Sequence, residues 1–122
     1  MNQDKKTTIE ELKDLLIKFR NKRNWNQFHD PKNLAEAISI EAGELQELFL
    51  WKNKEEVYKK MKDPNFKKEV EEELADVIIF CFNFSNSIDL DISSTVKRKI
   101  KINDQKYPIN KSKGLSKKYN EL

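Results

Sequence analysis

The stretch from Asn65 to Ser87 contains neither glycine nor proline, and its apolar residues recur at helical spacing. Val70, Leu74, Val77, Ile78, Cys81 and Phe82 form one stripe, and Ile79, Phe80 and Phe84 widen it almost all round. A helix this apolar on most faces belongs at the centre of its fold and also suits an interface between copies. Asp63-Pro64 just ahead supplies a start signal, with proline at the first helical position. Only two glycines and three prolines punctuate the 122 residues, so the remainder also reads as helix. The expected fold is a single all-α domain over residues 1–122, a four-helix-type bundle completed by homo-oligomerisation. Residues 1–7 are expected to be a flexible start and residues 109–122 a C-terminal arm.

The helices that would pack on this centre carry their own signals. Thr8 with Glu11 three residues later is a capping box, followed by Ile9, Leu12, Leu15, Leu16 and Phe19 at helical spacing. Asp30-Pro31 or Asn33 opens the second helix, whose buried stripe is Leu34, Ala37, Ile38, Leu45, Leu48 and Phe49. Gly43 inside that helix lowers its stability by roughly 1 kcal/mol relative to alanine, and reads either as room for close approach of a neighbouring helix or ligand or as tolerated sequence noise. Lys52 to Lys62 reads as a short polar helical connector. Asn86 to Asp91 is a turn, and the next helix turns Ile92, Val96 and Ile100 inward until Tyr107-Pro108 ends it.

Two acidic pairs sit inside these helices: Glu41-Ala42-Gly43-Glu44 and Glu73-Leu74-Ala75-Asp76. A spacing of three puts both carboxylates of a pair on one helix face. Antiparallel packing of the two helices would bring four carboxylates together. At ~4 Å and an effective dielectric near 20, each like-charged pair would cost up to about 4 kcal/mol. Protons or hard divalent cations must relieve that, and Mg2+ or Mn2+ suits such oxygen ligands. Glu72, four residues before Asp76, is a further contributor or a salt-bridge residue.

Charge is uneven. The chain is acidic from Asp63 to Asp76 and strongly basic from Lys97 to Lys118, although the net charge is only +3. An acidic metal site beside basic groups suits a polyphosphate, and Lys99 and Asn103, four apart on one helix face, would hold a phosphate together. The blander alternative is a solvated basic tail. The only histidine, His29, lies in the segment Trp25-Asn26-Gln27-Phe28-His29-Asp30 and has no cysteines nearby to build a zinc site. It would contact phosphate or cap a helix. Trp25 and Phe28 read either as a staple onto the first helix or as a wall that stacks a base, and Trp51 as another aromatic wall.

The single cysteine, Cys81, reads as a buried thiol in the most hydrophobic stretch. No disulfide framework or apolar leader is evident, and the run from Val77 to Phe84 is much shorter than the ~20 residues of a membrane span. A reducing, cytosolic setting is expected, with no membrane partner.

Paired carboxylates on packed helices admit several chemistries. A di-iron or di-manganese redox centre wants Glu-x-x-His motifs, which are absent here. Two-carboxylate glycoside chemistry leaves the basic helix unexplained. Metal-assisted attack of water on a phosphoanhydride uses both, with Glu44 or Glu41 as candidate general base. The non-enzymatic rival is a helical interaction domain whose acids are surface salt-bridge partners. Stable nucleic-acid binding is disfavoured by the acidic centre.

The order Glu41-x-x-Glu44, then Glu73-x-x-Asp76, resembles the metal signature of the MazG-like, all-alpha NTP pyrophosphatases. Asn33-Leu34-Ala35, Phe49-Leu50-Trp51, Ile88-Asp89-Leu90 and Lys106-Tyr107-Pro108 sharpen this resemblance, and the ending Lys117 to Leu122 is similar to that of the dCTP pyrophosphatase branch. The resemblance runs from about Thr8 to the end. It implies Mg2+-dependent hydrolysis of a nucleoside triphosphate, such as dCTP or a modified pyrimidine relative, to monophosphate and pyrophosphate. It further implies that Glu41, Glu44, Glu73 and Asp76 hold metal, and that Lys99 and Asn103 contact the phosphate end. Trp25, His29 and Trp51 would match base-pocket positions. Phe80 stands where that branch tends to have a tyrosine, so a hydroxyl contact is missing. The family's dimers, or tetramers made of dimers, imply a homo-oligomer whose sites borrow residues from a neighbouring chain.

Overall fold

A computed structural model describes residues 2–122. Among them the helices are α1 (Ile9–Lys22), α2 (Pro31–Glu47), α3 (Lys54–Lys60), α4 (Pro64–Ser87), α5 (Ile92–Lys106) and α6 (Ile109–Ser112), with no strand. The all-α expectation holds. Side chains fix where the first five helices begin: Thr8, Asp30, Asn53, Asp63 and Asp91 each accept a hydrogen bond from a backbone N–H of the first turn. Each such cap is worth about 1 kcal/mol. At the second helix it is Asp30 that takes this role, and Asn33 has another. Its Nδ2 donates to the Phe28 carbonyl at 3.1 Å and to Asp30 Oδ2 at 2.9 Å, fastening the preceding loop to α2.

The chain forms two compact units, one ending at Asp89 and the other spanning Leu90–Leu122. In the first, α1 and α2 both pack on α4. Asn86 Nδ2 on α4 donates to the Lys13 carbonyl of α1, and the Phe49 ring meets Phe66 edge-on at 6.0 Å. Leu34 and Phe66 are the buried apolar residues at the heart of this packing. In the second unit, α5 is followed by α6 and a 3-10 turn at Tyr119–Glu121. There Tyr107 and Tyr119 meet edge-on at 6.4 Å, with Lys106 Nζ 4.7 Å over the Tyr119 ring.

Much apolar surface stays uncovered in the single chain. A groove of about 320 Å³ between α1 and α4 is walled by Leu12, Leu15, Ala75, Ile78 and Phe82. Four expectations are corrected here. Cys81 is exposed rather than buried, because it lies on a side of α4 that neither α1 nor α2 covers. Val96 and Ile100 on α5 are likewise exposed. No helix of this chain approaches Gly43 closely, since a Cβ there would meet nothing of the chain within 4 Å. Tyr107 caps α5, yet the chain coils again as α6 instead of leaving the helical region at Pro108.

Candidate active site

Glu41 sits on α2, and Glu73 and Asp76 lie one turn apart on α4. Because these helices pack together, one carboxylate oxygen from each of the three lies within 4.8 Å of the others. All three residues are half-buried. Glu44 is more exposed, yet it shares hydrogen bonds with both Glu41 and Glu73, so the fourth acid adjoins the cluster.

The acids perturb one another strongly. The hydrogen bond with Glu44, then burial, then the charges of Glu44, Asp76 and Glu73 push the Glu41 carboxyl up to about 7. Burial first, and the Glu44 charge next, raise the Glu73 carboxyl as well. Glu41 Oε2 and Glu73 Oε2 are buried without a hydrogen-bond partner. A salt-bridge role leaves those oxygens unexplained. A hard cation accounts for them. Glu41, Glu73 and Asp76 offer the hard oxygen donors that Mg2+ would take.

Asp76 also opens onto a pocket of about 270 Å³ between α1, the Trp25–Asp30 loop and α4. Phe19, Trp25 and Phe80 make its aromatic walls, while Arg20, His29 and Asn83 supply polar groups. Trp25 takes the staple position, its ring packing edge-on against Phe19 at 5.8 Å, and also lines the pocket. The Arg23 guanidinium lies 3.6 Å over the other partner, Phe19, which steadies that pair. Phe28 instead faces solvent.

Buried polar atoms without partners are uncommon in folded proteins, so their placement is informative. Among the described residues, Arg20 Nε, His29 Nδ1 and Asn83 Oδ1 are in that condition, and all three residues line this one pocket. Burial and the nearby Arg20 charge hold the His29 imidazole below its ordinary pKa, so it is neutral at pH 7. The site is thus a carboxylate cluster that could hold a metal ion, joined through Asp76 to an aromatic pocket lined by polar groups.

Trp51 does not line this pocket. It is 92 % exposed, beside a separate shallow hollow that also involves Gly43, Gln46 and Glu47. Its backbone is left-handed, with φ 62°, an unusual strain for a bulky residue. Lys99 and Asn103 stand one turn apart and exposed on α5, in the second unit. Arg20 and Asn83 were not singled out from sequence. Asn83 interrupts the apolar run of α4, and that interruption is the one signal that could have exposed it.

Comparison with known proteins agrees with this geometry. The model of the MazG-like family matches residues 37–122. The chain is 36 % identical over 115 residues to dCTP pyrophosphatase 1 of Rattus norvegicus and to that of Homo sapiens. Those alignments cover 94 % of this chain and 68 % of each relative. A solved pyrophosphatase from Archaeoglobus fulgidus superposes with a TM-score of 0.76 at 42 % identity, covering 82 % of this chain and 92 % of that one.

Proposed function

This chain belongs to the MazG-like family, and we propose that it hydrolyses a pyrimidine deoxynucleoside triphosphate, dCTP or a modified relative, to monophosphate and pyrophosphate. The family membership makes it a hydrolase acting on the phosphoanhydride bonds of nucleoside triphosphates. The observation that carries the reading is the convergence of Glu41, Glu73 and Asp76 beside an aromatic pocket that shares Asp76.

Glu41, Glu44, Glu73 and Asp76 would hold Mg2+, with Mn2+ as the alternative. When bound, such an ion neutralises a polyphosphate, orients it and makes water a better nucleophile. The remaining work falls to this chain's own groups. The half-buried carboxylates fix where the phosphate end must lie relative to the pocket. Glu44, the most exposed of the four, is the candidate to take a proton from the attacking water, with Glu41 as the alternative. Trp25 and Phe80 would enclose the base, and neutral His29 would hydrogen-bond to the nucleotide. Lys99 and Asn103 are proposed as phosphate contacts. The exposed apolar groove between α1 and α4 supports a homodimer or homotetramer, in which the outlying Trp51 would serve a neighbouring chain's site. The role fits a cytoplasmic enzyme that cleans or regulates a nucleotide pool. No helix among the described residues is long and apolar enough to cross a membrane.

Phosphorus NMR of dCTP incubated with the protein and Mg2+ tests the bond cleaved. Pyrophosphate together with dCMP is expected. Orthophosphate with dCDP would refute the assignment.

A further inference from the structure

The pocket's aromatic walls can hold any base, so stacking alone does not choose among them. The choice must come from polar atoms. Asn83 is 5 % exposed and its Oδ1 has no partner. Arg20 Nε, across the pocket on α1, is a buried donor without an acceptor. Phe80, one turn before Asn83 on α4, brings no hydroxyl. The residues that carry this unpaired donor and this unpaired acceptor both line a cavity of about 270 Å³, below the roughly 300–1,000 Å³ of drug-sized sites and suited to a single ring.

We propose that Arg20 and Asn83 are the specificity-determining pair of this pocket: Arg20 donates to a ring carbonyl oxygen of a pyrimidine, and Asn83 Oδ1 accepts from its ring N–H or exocyclic amine. This rests on the nucleotide-hydrolase reading above and adds which groups read the base. Cytosine and uracil each carry a carbonyl oxygen and an N–H donor. Adenine has an amine but no carbonyl, so it leaves Arg20 Nε buried and unpaired. Adenine gains nothing at that already buried donor, whereas a pyrimidine carbonyl satisfies it, so the pyrimidine binds more tightly. The same two atoms have no partner within the chain, and that supplies a second signature. Replacing the Asn83 amide by an apolar group of similar shape removes a stranded acceptor, so it should leave stability unchanged or raise it while erasing selectivity.

The test uses the full chain, without metal, titrated with dCMP, dUMP and dAMP by calorimetry. The wild type should bind both pyrimidine monophosphates more tightly than dAMP. In Asn83→Leu and, separately, in Arg20→Met, that preference should fall by roughly tenfold to a hundredfold, with the midpoint of thermal unfolding of Asn83→Leu unchanged or higher. A preference unchanged in both variants, or no monophosphate binding by the wild type, overturns the proposal. Because the titration needs no turnover, its outcome is separate from that of the hydrolase reading. A wild type that discriminates bases but cleaves no triphosphate would refute hydrolysis and leave base reading intact.

Discussion

Asp76 and Asn83 stand seven residues apart on α4, two turns or about 10.5 Å along its axis, and both line the same pocket. Asp76 belongs at once to the carboxylate cluster, while Asn83 carries an unpaired amide oxygen. One rigid helix therefore fixes the separation between the metal-ready end and the base-reading end of the site. A ligand that satisfies both must carry an anionic part and a hydrogen-bonding ring at that span.

Neutralising one acid separates catalysis from folding. Glu41→Gln and Asp76→Asn should each lower turnover by about a hundredfold or more, as loss of a metal ligand requires at least the penalty seen for its outer partners. Helical circular dichroism should be unchanged, and the metal-free midpoint unchanged or higher because a repulsion is removed. Turnover near the wild-type rate in either variant would contradict the metal assignment.

The cluster also dictates how stability responds to pH. Glu41 is pushed up to about 7 in the folded chain, above its ordinary value of 4.5. The folded state therefore binds its proton more tightly than the unfolded state does. This contribution is fully present below pH 4.5 and is lost as pH rises through 7. Metal-free protein should consequently show a falling unfolding midpoint between pH 5.5 and 8 from this site, a slope that Glu41→Gln reduces. Saturating Mg2+ should oppose the loss by binding the ionised form. A midpoint insensitive to Mg2+ at pH 8 would tell against the cluster as a cation site.

Caps and acidic spacings were legible in the sequence because both are local. Thr8, Asp30 and Asp63 act on backbone within three residues, and the separation of Glu73 from Asp76 alone places them on one face. The Glu41 side of the cluster needed only the inference that two amphipathic helices pack together. What depends on tertiary surroundings was harder to read. Cys81 follows the apolar periodicity faithfully, yet no helix of the first unit covers its side of α4. Asn83 hides in the same run, since one polar residue on an apolar helix tells nothing of a cavity until α1 is in place. Trp51 is a case of backbone geometry, for its left-handed conformation at the end of α2 turns it away from the pocket its type suggested.

The strained Trp51 should reveal itself by substitution. Trp51→Gly relieves the left-handed backbone and should raise stability by about 1 kcal/mol. If the residue serves a neighbouring chain's site, KM should rise in the same variant. A lower stability with unchanged KM would place Trp51 in structure alone.

The proposed assembly is tested at the uncovered groove. Leu15 is 60 % exposed and Ile78 44 % exposed on its two walls. Leu15→Glu or Ile78→Glu should shift a dimer or tetramer to smaller species in light scattering, since a charge buried at an apolar interface is strongly unfavourable. A wild type already monomeric at micromolar concentration would remove the basis for shared sites.

The most direct measurement is turnover across the standard ribo- and deoxynucleoside triphosphates, with and without Mg2+, following pyrophosphate and orthophosphate together. Mg2+-dependent release of pyrophosphate with the monophosphate, greatest for a cytosine nucleotide, is the predicted result. Absence of metal-dependent pyrophosphate release from every nucleotide would contradict the account and return the acidic pairs to a structural role in a helical interaction domain.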